Sequence, residues 1–192
     1  MKLGCVVMAA GESRRFGDVN KLLQAFDGIP LYVRALSAVP EGVFDRVCVV
    51  TGYAPIRSLA QEHGFLTAVN DRPELGVSRT IRLGLEQMQD CDGVVFMTAD
   101  QPLLTAYTLR KLAAAFAEKP GCVFAAAHNG KRGNPCLFPR VLFGELLALE
   151  GDVGGSRVIK NHPDRLVLVE VAAEELEDCD TAESLKALRK RG

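Results

Sequence analysis

The sequence predicts an α/β fold in three layers, with helices on both faces of a mostly parallel sheet, and three observations predict it. Short β-branched runs alternate with helical patterns along the chain, as in successive βαβ units. Those runs are apolar almost without interruption, as strands covered on both faces must be. The 192 residues, 48% hydrophobic and 24% charged, have ordinary globular composition and the length of one domain, residues 1–192.

Strands are expected over residues 3–8, 46–51, 66–69, 93–98, 122–127 and 166–171. Helices are expected over 30–39, 55–63, 78–88, 105–118, 140–149, 155–161 and 181–190. Pro30 and Pro55 sit where a first turn tolerates proline, and Thr105 and Thr181 are suited to N-caps. Residues 128–138, rich in Gly, Asn and Pro, break the alternation. They predict a small β excursion from the sheet, an arm over the active face.

Charge and hydropathy exclude whole classes of function. A net charge of −1, from 23 basic and 24 acidic side chains, provides no field to attract a nucleic acid. The longest stretch without Asp, Glu, Lys or Arg is residues 120–130, eleven positions against the ~20 a spanning helix needs. The apolar start is too short for a secretory signal, and Glu12, Arg14 and Arg15 follow it at once, so a cytoplasmic protein is expected. Six dispersed cysteines without a C-x-x-C pair read as small buried side chains, and three scattered histidines form no ligand set.

Ligands of open α/β sheets bind outside the carboxyl ends of the strands. Four such ends carry distinctive polar sequence. The first strand runs into Ala9-Ala10-Gly11-Glu12-Ser13-Arg14-Arg15-Phe16-Gly17, with Lys21 close behind. Small residues there let backbone N–H groups approach phosphate oxygens, and Arg15 and Lys21 add positive charge, both expected to be solvent-accessible before ligand binds. A plain glycine turn with solvated basic residues fits the same string. It is neither a Walker A loop nor a dinucleotide fingerprint. The strand at 93–98 ends at Asp100-Gln101-Pro102, where a carboxylate suits Mg²⁺ or caps a turn. Asn70 ends another strand ahead of Gly76-Val77-Ser78-Arg79-Thr80, whose hydroxyls suit an anion or an N-cap. Asp178-Cys179-Asp180-Thr181 offers a second metal ligand or a cap.

Taken in order, these motifs resemble those of the molybdenum cofactor cytidylyltransferase family, MobA-like NTP transferases. The resemblance spans nearly the whole chain: Ala9 to Gly17 with Lys21, Asn70 with Gly76-Val77-Ser78, Asp100-Gln101-Pro102, Arg132-Gly133-Asn134-Pro135, Gly151-Asp152 and Asp178 to Thr181. It implies a nucleotide-diphospho-sugar-transferase-like, Rossmann-like fold and a Mg²⁺-dependent transfer of CMP from CTP to a molybdopterin phosphate, with a molybdenum hydroxylase as client. By position, Ala9, Ala10, Gly11, Ser13, Asn70 and Ser78 would contact nucleotide. Arg15, Lys21 and Asp100 would be catalytic, and Asp100 and Asp180 would hold Mg²⁺, with Asp178 the alternative second ligand. Gly133, Asn134, Pro135, Gly154, Gly155 and Arg157 would face the acceptor. Cytidylyl members of the family tend to read Ala-Ala-Gly where guanylyl members read Ala-Gly-Gly, which implies a selector role for Ala10. Guanylyl transfer, sugar-1-phosphate nucleotidyl transfer and a non-catalytic cofactor escort are the rival readings.

Overall fold

The computed structural model describes residues 1–13, 16 and 20–189. Seven strands form the main sheet: β1 (Leu3–Met8), β4 (Arg46–Thr51), β5 (Leu66–Val69), β6 (Gly93–Thr98), β7 (Val123–His128), β8 (Lys131–Pro139) and β9 (Leu166–Glu170). Their order is β5-β4-β1-β6-β8-β7-β9, and every neighbouring pair is parallel except those made by β8. Side chains alternate between the two faces, as the pleat requires. Cys5, Val7, Val49, Val95 and Met97 join a core with α1 (Leu31–Ser37), α2 (Ala54–Glu62), α4 (Ala106–Glu118) and α7 (Ala182–Arg189). Val6, Cys48, Val50, Val94 and Phe96 join the opposite core with α3 (Val77–Glu86), α5 (Phe143–Leu147) and α6 (Ser156–Asn161). The three expected layers are present.

Close approach of α3 to the sheet depends on Gly84. A Cβ there would lie 2.4 Å from a Val6 methyl, so alanine would push the helix off the strand that leads into the first polar loop. Thr181 caps α7 as expected: its Oγ1 accepts from the Ser184 N–H at 3.0 Å, and the Ser184 hydroxyl accepts from the Thr181 N–H at 3.0 Å.

Three regions depart from the expected elements. The 128–138 stretch does not leave the sheet, because Lys131–Pro139 is strand β8, paired antiparallel with both β6 and β7. Gly, Asn and Pro there mark a bulge inside the strand: Ala125 pairs with Cys136 and Ala127 with Arg132, so two residues of β7 span four of β8. A proline without an N–H is tolerated at such a bulge. A hairpin, β2 (Ala25–Phe26) and β3 (Ile29–Pro30), precedes α1, so Pro30 closes a strand rather than lying in the helix. Its turn is Asp27-Gly28, both at positive φ (48° and 79°), the Asp-Gly signal of a two-residue hairpin. The 140–149 helix is a short 3₁₀ turn, Arg140–Leu142, followed by α5, with Gly144 weakening helix continuity.

Candidate active site

The polar sequences converge at the carboxyl ends of β1 and β6, as the doubly wound arrangement requires. A cleft of about 450 Å³ opens there, with Ala10, Gly11 and Ser13 on one side and Thr98 to Asp100 on another. Ala9 lies fully buried below it, its N–H donating to the Val50 carbonyl at 2.9 Å. The loop that follows is tied at its base. Ser13, at φ 55°, accepts at Oγ from the Lys21 N–H (3.0 Å) and donates to Asn20 Oδ1 (3.4 Å). Asn20 Oδ1 also accepts from the Leu22 N–H at 2.9 Å. Arg15 lies outside the described residues.

Lys21 is not the free cation expected from sequence. Its ammonium donates to Asp100 Oδ2 at 2.6 Å and to Asp180 Oδ1 at 3.0 Å, with only 15% of the side chain exposed. Burial alone would lower its pKa; the charges and hydrogen bonds of Asp100 and Asp180 outweigh this and raise it above the ordinary lysine value. Five carboxylates (Glu12, Glu74, Asp100, Asp152 and Asp180) face the cleft, against one ammonium among the described residues. Asp178 does not line this cleft. Although it keeps an exposed edge, the packing around it and the charges of Asp100 and Asp180 push its carboxyl up to about 6.

The two halves of the carboxylate pair come from distant parts of the chain and are joined through the backbone. The buried Cys179 donates its N–H to the Asp100 carbonyl at 2.9 Å, which lays residues 178–180 along the end of β6. Asp100 Oδ1 is buried and has no hydrogen-bond partner among the described residues. No group of three or more His, Cys, Asp or Glu side chains forms a metal cage among those residues. The donors that converge are two carboxylates, a set that suits Mg²⁺ completed by phosphate oxygens and water.

Asn70 and Ser78 lie beside this cleft without lining it. Asn70 is buried, its amide donating to Thr80 Oγ1 (3.1 Å) and accepting from the Arg72 N–H (3.2 Å) and Arg79 Nε (3.0 Å). The first N–H groups of α3 are also engaged: Val77 donates to Asp152 Oδ1 (3.4 Å) and Ser78 to the Gly151 carbonyl (3.2 Å). Gly76, at φ 88°, makes that approach possible, since a Cβ there would fall 2.3 Å from the Gly151 carbonyl carbon. These residues shape the cleft rim, and Thr80 and Gly76 reach it where Ser78 does not.

A second chamber of about 330 Å³ shares Met8, Val77 and Thr98 with the cleft. Its walls are mixed, with Ile81, Phe96, Phe138 and Leu146 beside Thr98, Arg132, Asn134 and Ser156. Gly133, Asn134, Gly154 and Gly155 line it, as a common role for them requires, whereas Pro135 and Arg157 do not. Arg132 supplies its only charge among the described lining residues and donates to Ser156 Oγ at 3.3 Å. Arg132 opens the Arg-Gly-Asn-Pro string, so its place was available to sequence reasoning. Phe96 and Phe138 were not singled out, because each reads as an ordinary core residue of a strand.

A mostly parallel sheet carrying paired carboxylates and a lysine at its carboxyl edge, beside a two-chambered cleft, is a fold of the nucleotidyltransferase type. The profile of the MobA-like NTP transferase domain matches residues 5–166, and the chain belongs to that family. It is 28% identical over 199 aligned residues to the purine catabolism protein PucB of Bacillus subtilis (strain 168), covering 96% of this chain and 95% of that protein. It is 30% identical over 139 residues to the bifunctional protein GlmU of Azoarcus sp. (strain BH72), covering 71% of this chain but only 30% of GlmU. Its fold matches the crystal structure of a Mycobacterium tuberculosis rv0371c homologue from Mycobacterium sp. strain JC1, with TM-score 0.83 and 27% identity over 100% of this chain and 98% of that one. Among the described residues no helix is long and apolar enough to cross a membrane.

Proposed function

We propose that the chain, acting in the cytoplasm as one nucleotidyltransferase domain over residues 1–192, transfers CMP from CTP to the phosphate of a molybdopterin-type acceptor. Pyrophosphate is released, and a molybdenum hydroxylase receives the product. The observation that carries this reading is the shared wall. Met8, Val77 and Thr98 line both a cleft rich in carboxylates and a chamber that has two aromatic rings and no acid among its described lining residues. That supports a triphosphate and a flat heterocycle lying side by side.

Mg²⁺ fits the donors present: an unpartnered buried oxygen of Asp100, a second carboxylate on Asp180, and a surplus of negative charge that no triphosphate would enter uncompensated. When bound by Asp100 and Asp180, the metal supplies the positive charge that offsets the triphosphate. Asp178 is the alternative second ligand. Lys21 and Arg15 hold phosphate oxygens and stabilise charge as it develops on them. Ala10, Gly11 and Ser13 present backbone along the nucleotide, with Ala9 supporting them from below, and Asn70 and Ser78 hold the rim against which it lies. Gly133, Asn134, Gly154 and Gly155 form the acceptor side, with Pro135 and Arg157 behind it and Arg132 the charge available to the acceptor's phosphate.

A phosphate oxygen of the acceptor attacks the α-phosphorus, the bond to the bridging oxygen of the leaving group breaks, and pyrophosphate departs with those electrons. A phosphate monoester is already dianionic near neutrality, its second pKa being about 6, so no side-chain base is needed. That agrees with a site without histidine among its described lining residues. A sugar acceptor would need a partner for each hydroxyl; the rings of Phe96 and Phe138 in the chamber wall favour a flat ring system.

The test is pyrophosphate release with each of the four NTPs, with molybdopterin cofactor, with a sugar 1-phosphate, or with no acceptor. Release with CTP and the cofactor alone is the expected result. Release with GTP or the sugar phosphate reassigns the substrates, and tight cofactor binding without turnover turns the protein into an escort.

A further inference from the structure

Glu175 is a buried carboxylate five residues before Asp180 that does not line the cleft, and nothing in the reaction uses it. It lies in the 3₁₀ turn Ala173–Leu176, which follows β9 and leads into Asp178–Asp180. Its Oε2 accepts three hydrogen bonds from the start of α4: the Thr105 N–H at 2.9 Å, the Thr105 hydroxyl at 2.7 Å and the Thr108 hydroxyl at 2.7 Å. A carboxylate at a helix N-terminus is favoured by the free N–H groups and the helix dipole. Three charge-assisted bonds to one oxygen make this a strong anchor.

What the anchor holds is the strap from 173 to 180. Next to Glu175, Leu176 packs over Gly133, whose absent side chain leaves its Cβ position 3.1 Å from Leu176 Cδ2. Three residues further on, Cys179 is fully buried and donates to the Asp100 carbonyl. The strap ends with Asp180 on the Lys21 ammonium, beside Asp100.

We propose that Glu175 is a positioning residue for the carboxylate pair. By pinning the strap to the N-terminus of α4, it fixes where Asp180 stands relative to Asp100, and with it the strength of divalent-cation binding. The proposal rests on the reading of Asp100 and Asp180 as the metal ligands. It does not depend on which nucleotide or acceptor is used.

Two measurements test it, neither of them turnover. The first is Mn²⁺ titration, followed by electron paramagnetic resonance, in saturating CTP and in parallel in GTP, without acceptor. Supporting groups behind metal ligands are typically worth about 10–100-fold in affinity. Glu175→Ala is therefore expected to weaken Mn²⁺ binding about tenfold, with Glu175→Gln, which keeps an acceptor oxygen, close to the unmutated protein. If Glu175 acts through Asp180, the Glu175→Ala/Asp180→Asn pair binds Mn²⁺ no more weakly than Asp180→Asn alone. Additive losses, or unchanged affinity in Glu175→Ala, overturn the proposal.

The second is amide exchange in the metal-free protein. The Cys179 amide is expected to exchange at least about tenfold faster in Glu175→Ala while the amides of β1 and β6 keep their rates, the pattern of a local opening. A uniform acceleration across the sheet means that Glu175 only stabilises the fold, and the proposal fails. Should Glu175→Ala not fold, Thr108→Val removes one of the three bonds and must give the same local pattern at smaller size. A protein that takes up no Mn²⁺ with either nucleotide overturns the metal-ligand reading as well. Normal uptake that ignores Glu175 overturns this inference alone.

Discussion

The cleft beside Lys21 and the chamber beside Phe138 share three wall residues and differ in almost everything else. Five carboxylates face the first, while the described lining of the second contains no acid and one arginine. The cleft lies where parallel strands β1 and β6 end; the chamber is walled on one side by β8, the one strand that runs against the others. The difference separates two tasks. A triphosphate and its metal need charges held apart in fixed places, and strand ends supply them singly. On the proposed reading a ring system needs area, and the reversed strand β8 together with the Gly154–Gly155 segment supplies it.

Removing charge from the cleft should have the largest effect. Asp100→Asn keeps the side-chain shape and should lower pyrophosphate release by about 10³-fold, the upper end for losing one charge-stabilising group. Binding of the acceptor alone, followed by fluorescence, should hardly change; a parallel loss of acceptor affinity would show that the two chambers are not separable. Lys21→Ala should cost about 10²–10³ in kcat/KM. Because it leaves Asp100 and Asp180 facing each other without their ammonium, its Tm should fall and recover on adding Mg²⁺ more than the unmutated protein's does. A Tm indifferent to both lysine and metal would break the link between these carboxylates.

Ala10 lines the cleft and is 4% exposed, so on the proposed reading its methyl would bound the space beside the nucleotide. Ala10→Gly should move the CTP-to-GTP ratio of kcat/KM toward GTP by at most ~200-fold, the range of one methylene-sized contact. An unchanged ratio removes Ala10 as a selector. The smallest effect is expected in the chamber. A Cβ on Gly155 would lie 2.6 Å from Phe138 Cζ, so Gly155→Ala should press that ring into the chamber. The acceptor KM should rise about tenfold. The nucleotide KM should stay within twofold, and a rise in it instead would place the acceptor elsewhere.

The same two regions differ in how much of them the sequence discloses. Strands β1, β4 and β6 were legible to the residue, because a strand buried on both faces is an unbroken apolar run. The largely exposed edge strand β5 was legible from its short apolar and β-branched run alone. Ala9 to Lys21, Asp100 and Asp180 were legible as a set because polar residues at strand ends have few structural reasons to be there. Strand β8 was not, since Gly133 and Pro135 read as loop until the bulge opposite Ala126 shows how a strand carries them. The Asp27-Gly28 hairpin was available from its dipeptide and went unread. The state of Lys21 was beyond local pattern, because its partners are 79 and 159 positions away. Glu175 has no signal at all in its own neighbourhood: its three donors lie 67 to 70 residues upstream.

The span between Lys21 and Asp180 also fixes when the protein becomes active during its own synthesis. At roughly 5–20 residues per second, about 8–30 s of translation separate the emergence of the lysine from that of its second carboxylate. Once residue 98 has emerged, well before residue 180, β1, β4, β5 and β6 can already pair on the ribosome. The nascent chain then has a scaffold and a loop but only half of its carboxylate pair, and it should not hold metal and nucleotide together until residues 173–180 close over Asp100.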